Sequence, residues 1–200
     1  MKKHTLIAMA ALLLVFTGIT KGQYENPEYK EIEEKKPVVY FGLSTGINNF
    51  NGMLGGFIEL CPAEKITIAG GLGLGMWGAK ATGGLRYYKN YPERLYYSGS
   101  LSFHSGFPEI TMEFTDDNNN IQTYNMKFKP VPTLNLAVGY QVALLNNKLR
   151  LHFEGGYAIK LKTDCYEVIS GGELSDLSKQ VMNIYTPGGL ILGLGGSIGF

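Results

Sequence analysis

From residue 37 onward, apolar residues alternate with small or polar ones in eight stretches: approximately 38–47, 52–60, 65–77, 79–88, 95–107, 131–144, 149–161 and 187–200. A period of two places the two kinds of residue on opposite faces of a strand. In 131–144, Leu134, Leu136, Val138, Tyr140, Val142 and Leu144 oppose Asn135, Ala137, Gly139, Gln141 and Ala143. In 65–77, Ile66, Ile68, Leu72, Leu74 and Met76 oppose Thr67, Ala69, Gly71, Gly73 and Gly75. In the last stretch, Leu190, Leu192, Leu194, Ile198 and Phe200 oppose Gly193, Gly195, Ser197 and Gly199. Helical periodicity is almost absent, so the chain is predicted to be all-β.

The composition of the second face decides how the strands are used. A water-facing surface would be dense in Lys, Glu and Thr, whereas this face is mostly Gly, Ala and Ser. Small residues suit the narrow interior of an eight-stranded barrel, which turns the large apolar face outward, toward lipid. Strands of ~9–11 residues are long enough to cross a bilayer when tilted, and eight is an even number, as in single-chain bacterial barrels. The connections sort by length. Cys61-Pro62-Ala63-Glu64, Lys89 to Arg94 and Leu145-Asn146-Asn147-Lys148 are short, while 108–130 and 162–186 are long. Short turns on the periplasmic side and longer loops outside are the pattern of such barrels. The expected fold is an eight-stranded antiparallel up-and-down transmembrane β-barrel over 37–200.

The first residues agree with export. Met1-Lys2-Lys3-His4 precedes an apolar run from Leu6 to Ile19, and Thr20-Lys21-Gly22 offers small residues for cleavage before Gln23. That run is too short for a membrane helix, which needs ~20 residues, and suits a signal peptide over 1–22. Residues 23–36 are charged, without apolar rhythm, and read as a flexible periplasmic lead-in. Cleavage would remove three of the 18 basic residues (Lys2, Lys3, Lys21) and none of the 17 acids, leaving a net charge of −2. Nothing there points to nucleic acid. Cys61 falls in a tight turn and Cys165 in a long loop on the opposite side, so no disulfide is expected.

Five residues with charge-bearing chemistry take the inward phase: Glu59, Arg86, Arg150, His152 and Glu154. The four obligate charges cancel, and in so narrow a lumen they should pair and hydrogen-bond. This predicts a charged plug across the lower barrel; a gated ion path is the functional alternative. His152 and Glu154 are too few to hold a metal. Tyr87, Tyr88, Tyr91, Tyr96 and Tyr97, with Tyr40, Phe41, Tyr140 and Phe200, are expected to form an interfacial aromatic belt.

The amphipathic closing strand with its terminal aromatic resembles the small outer-membrane β-barrel family (OmpA/OmpX-like, of Bacteroidetes type) over 37–200. Gly195, Ile198 and Phe200 match the family's signal to the barrel-assembly machinery; Gly193 stands where a polar residue is usual. The resemblance implies a bacterial outer-membrane location, membrane lipid as surroundings, and a monomer. Some small barrels of this kind modify lipid A, and Ser102, His104 and Ser105 are the residues that could form a catalytic set. The order differs from the deacylase motif, His104 faces inward, and no third member completes the set. The Gly-rich runs 70–75 and 188–196 precede no helix and are not phosphate loops. No cofactor is indicated. Function therefore falls to the loops. Residues 109–128 alternate around a polar turn at Asp116 to Asn120, predicting that strands five and six continue outward as a hairpin with an edge able to pair with a partner strand. Leu174, Leu177, Val181 and Ile184 predict a short helix over the mouth. The reading is a non-enzymatic surface barrel acting in envelope integrity or adhesion through 108–130 and 162–186. A narrow porin-like pore and, further off, a lipid A-modifying enzyme are the alternatives.

Overall fold

In the computed structural model, which describes residues 38–63, 65–89, 94–115 and 121–200, the alternating stretches pair with their neighbours and close on themselves. The signal (1–22), the lead-in (23–36), Tyr91 and the polar turn Asp116 to Asn120 lie outside the described residues. The elements are β1 (Val39–Ile47), β2 (Leu54–Ala63), β3 (Ile66–Gly75), β4 (Gly78–Tyr88), β5 (Leu95–His104), β6 (Phe107–Thr115), β7 (Ile121–Phe128), β8 (Val131–Leu144), β9 (Leu149–Lys160), β10 (Tyr166–Ser170), α1 (Asp176–Tyr185) and β11 (Gly189–Gly199). Eight of these strands form a closed barrel in the order β1-β11-β9-β8-β5-β4-β3-β2, and every pairing is antiparallel. Closure is made by β1 against β11, with Tyr40 opposite Gly199 and Ile47 opposite Leu192. Residues on one strand face fill the interior, and the leucines, isoleucines and phenylalanines of the other cover the outside.

The glycine face is what makes the interior habitable. A Cβ on Gly139 would collide with the ring of Tyr96, one on Gly195 with His152, and one on Gly42 with Phe57. Tyr96, His152 and Phe57 therefore each lie over a glycine. Such close packing is the reason an eight-stranded barrel has a filled core rather than a pore.

The two long connections build a second layer at one end of the barrel. Strands β6 and β7 form a hairpin, and β10 adds to its far side, giving a three-stranded sheet in the order β10-β7-β6. The hairpin is a sheet of its own rather than a continuation of β5 and β8. The break falls at Gly106, where φ is +72° and a Cβ would strike the Phe128 carbonyl oxygen, and at Pro130, which has no N–H to extend a ladder. Strand β10 lies within 162–186, where a loop without strands is expected. Cys61 likewise lies within β2 rather than in the turn.

The expected helix forms as α1. Ser175 caps it, its hydroxyl accepting from the Ser178 N–H at 3.2 Å, and Asp176 sits in the first turn, where a negative charge favours the helix dipole. Its buried face is rotated from the expected one. Ser178 and Met182 are buried and Val181 partly so, with Leu174 buried just before the helix, whereas Leu177 and Ile184 are exposed. Met182 and Leu174 join Trp77, Phe114, Tyr124, Met126, Phe128, Val131 and Cys165 in one apolar cluster. Trp77 comes from the β3–β4 turn, so this cluster ties the outer layer to the barrel. Its indole stacks on Phe128 at 3.9 Å between ring centres and donates to the Lys129 carbonyl at 2.9 Å.

Candidate functional site

Glu59, Arg86, Arg150, His152 and Glu154 share the inward parity of β2, β4 and β9, and all lie inside the barrel. Arg86 Nη1 donates to Glu59 Oε2, and Arg86 Nη2 lies 3.7 Å from Glu154 Oε2. Arg150 Nη1 reaches Glu59 Oε1 at 3.5 Å, and its guanidinium rests on the Tyr40 ring, 3.4 Å from the centroid. Tyr88 donates to Glu59 Oε1 at 3.0 Å and Tyr96 to Glu154 Oε2 at 3.1 Å. Among the described residues His152 takes no part in the ion pairs; it meets Phe57 edge to face at 5.2 Å. Charges buried this deeply are tolerable only when paired and hydrogen-bonded, and each carboxylate here has both kinds of partner.

Three residues assigned to the aromatic belt serve this cluster instead. Tyr40, Tyr88 and Tyr96 are fully buried, while Phe41, Tyr87, Tyr97 and Phe200 remain on the outside and Tyr140 is half-buried. The reason is parity. Tyr88 shares a strand face with Arg86, and Tyr96 shares one with Ser102, so their hydroxyls point where carboxylates need donors.

Above the charges the lumen is filled by a turn. The β1–β2 connection, expected to be a minimal outer loop, folds into the barrel with Asn49, Phe50 and Asn51 buried. Asn49 Oδ1 accepts from Ser44 Oγ at 3.2 Å and from the Asn51 N–H at 2.9 Å, and Asn51 Nδ2 donates to Ser44 Oγ at 2.7 Å. Phe50, Phe57 and Tyr96 surround the Arg86 guanidinium at 5.3, 5.4 and 5.1 Å from their ring centres, a cation–π cage. Gly71 and Gly73 make room for the turn, since a Cβ on either would run into Asn51. What remains between turn and charges is a void of about 10 Å³, room for roughly one water.

Higher still, Lys80 is buried and donates to the carbonyls of Asn49 at 2.6 Å and Asn48 at 3.2 Å. It stands opposite His104 in the β4–β5 ladder. Ser102 bonds Thr82 at 2.7 Å and accepts from Asn135 Nδ2 at 2.6 Å. Its hydroxyl is thus spoken for within a polar ladder inside the barrel, while Ser105 bonds backbone at the rim. Outside the barrel, Lys129 donates to Asp164 at 2.7 Å and lies 3.7 Å from Glu167. That bond holds the Asp164 carboxyl below its usual range and the Lys129 ammonium above its own. Burial raises the Cys165 thiol, which donates to the Lys162 carbonyl at 3.3 Å.

Set against known proteins, the chain matches no family model and no curated protein. Geometry must therefore speak alone. Of the residues assigned to assembly, Gly195 is buried against His152, while Ile198 and Phe200 face outward and Phe200 meets Phe41 edge to face at 5.9 Å. Sequence reasoning missed Lys80, Asn49 and Asn51. Lys80 was findable, because it has the parity of Thr82 and Arg86. The asparagines were not, because no periodicity marks a turn that folds inward.

Proposed function

We propose that the chain is a plugged outer-membrane β-barrel of the OmpA/OmpX-like kind, non-enzymatic, which presents the β10-β7-β6 sheet and α1 at the cell surface for adhesion or envelope integrity. The observation that carries this reading is the inversion of the barrel. Its outside is a wall of large apolar side chains, with Leu43 and Leu72 both 69% exposed, while its ion pairs are sealed within. A soluble protein does not leave so large an apolar patch in water. The direction follows from the connections, because long segments belong outside and short turns inside in such barrels. The Asn49–Asn51 turn and the ion pairs packed inside the barrel support a structural plug over a pore. The bonds that engage Ser102 inside the barrel, away from the apolar wall, support a non-catalytic role.

Edge strand β6 offers the pairing surface. It has one ladder partner, β7, so its other side presents free backbone groups to an added strand. Protease treatment of intact cells tests the placement. Cuts confined to 108–130 and 162–186 are the expected result; cuts at 61–64 or 145–148 would overturn it. In planar bilayers the purified protein should be silent, and steady conductance would refute the plug.

A further inference from the structure

We propose that the outer sheet takes an extended peptide segment as a fourth strand along the free edge of β10, with a basic residue facing Glu167 and large apolar side chains entering the groove beneath. In the order β10-β7-β6, β10 has β7 as its ladder partner and, among the described residues, no strand on its other side. The phase of that ladder decides which backbone groups are free. Cys165 stands opposite Lys129, and its carbonyl accepts from the Lys129 N–H at 2.8 Å. In an antiparallel pair, residues turned toward the partner alternate with residues turned away. Glu167 therefore turns its backbone groups to Lys127, its register partner, while the N–H and C=O groups of Tyr166 and Val168 point to the free edge. Among the described residues no other backbone group bonds to them.

Every sheet edge offers backbone groups; what singles out β10 is the groove that runs along it. This open groove of about 470 Å³ is lined by Tyr166 and Val168 of β10, by Gly172, Glu173 and Leu174 of the segment that follows, and by Lys179 of α1. Its walls include no residue of β7, so it lies on the edge side of β10. A strand added roughly 4.8 Å from β10 sends alternate side chains over this groove. Tyr166, Val168 and the buried Leu174 make an apolar floor, and Glu173 and Lys179 a charged rim, which suits an aromatic side chain with a polar tip. The residue between two such side chains faces solvent opposite Glu167, in a non-hydrogen-bonded pair where facing side chains are closest. Glu167 is free to take a cation there, because Lys129 lies 3.7 Å from it and donates to Asp164 at 2.7 Å. A Lys or Arg at that place makes a favourable cross-strand pair. The same geometry disfavours a second copy of this chain. When Tyr166 of one copy exchanges hydrogen bonds with Val168 of another, the two Glu167 side chains face each other, and like charges directly opposite repel. The partner is thus a strand of apolar–basic–apolar pattern, held by backbone bonds and selected by its alternate side chains. It sits on the edge opposite β6, and rests on the proposed function only in taking this sheet as a surface for strands.

The test uses the full-length protein in detergent micelles and a fluorescein-labelled, end-blocked peptide, Thr-Thr-Tyr-Lys-Val-Thr-Thr, followed by fluorescence anisotropy. Saturable one-site binding is expected. Val168→Pro removes an edge N–H that the β10–β7 ladder does not use, so binding should weaken by about tenfold or more while Trp77 emission is unchanged. Glu167→Lys should weaken it by about threefold, and a peptide with Glu in place of its Lys should show the reverse preference. Absence of saturable binding would overturn the proposal, as would equal binding of the two peptides by the unaltered protein. Binding unmoved by Val168→Pro would place the peptide elsewhere, and so overturn the β10 site while leaving the proposed function intact. A dimer in light scattering that excludes the peptide and is lost in Val168→Pro would give the edge to a second copy and overturn it as well. Should Val168→Pro fail to fold, the charge exchange at Glu167 decides alone.

Discussion

Replacing Glu59 by Gln is the sharpest probe of the lumen. Glu59 accepts from Arg86, from Tyr88 at 3.0 Å and from Arg150 at 3.5 Å, with 2% of its surface exposed. The substitution keeps volume and the Tyr88 hydrogen bond but leaves two guanidiniums with Glu154 as the remaining carboxylate of the cluster. Breaking a buried pair from one side costs about 3–5 kcal/mol. The retained neutral hydrogen bond offsets about 1 kcal/mol, so a loss of about 3 kcal/mol is expected. With guanidinium slopes of roughly 2–6 kcal/mol/M, the midpoint should fall by about 1 M. Equilibrium unfolding in micelles would be followed by far-UV circular dichroism for the barrel and by emission of Trp77, the chain's only tryptophan, for the outer layer. Adding Arg86→Met to Glu59→Gln removes the excess charge, and the pair should couple by about 2 kcal/mol. A midpoint shift under about 0.2 M, or strictly additive costs in the double variant, would refute the plug as an electrostatic unit.

Gly139→Val should block folding or cost at least about 3 kcal/mol, more than ordinary overpacking, because Tyr96 lies directly over Gly139; loss of the heat-dependent shift in gel mobility reads this out. Trp77→Ala removes the stack on Phe128 and should cost about 3–5 kcal/mol in the outer layer, exposing Cys165 to maleimide while barrel dichroism stays intact; Trp77→Phe should restore most of the protection. Lys129→Met should let the Asp164 titration, followed by carbon NMR, rise toward the ordinary value near ~3.9. Because Lys129 depresses Asp164 in the folded state, the stabilisation it lends is present above the unfolded-state value and lost as pH falls through the folded one. An Asp164 titration unmoved by Lys129→Met would discount the bond.

The alternation of residue types along the chain determined where eight strands run, which side of each faces inward and which of the connections are long. Those are local properties, because a strand's side-chain period is two and each residue's face follows from its neighbours'. Glu59, Arg86, Arg150, His152 and Glu154 were legible as inward for the same reason, and Lys80 lay within reach of the same rule. Parity says which face a residue takes, not what it meets across the lumen. That Tyr88 and Tyr96 serve carboxylates and Tyr40 a guanidinium instead of a belt, and that Gly139 and Gly195 lie under aromatic rings, depends on which strands face one another once the barrel closes. The inward fold of Asn49 to Asn51 depends on space cleared by glycines on β3, distant in sequence. The rotated face of α1 and the recruitment of β10 likewise depend on Trp77 and Phe128, which reach the same cluster from the β3–β4 turn and the end of β7. Local pattern determined the strands and their faces; closure of the barrel, which brings together residues far apart in the chain, decided every contact inside it.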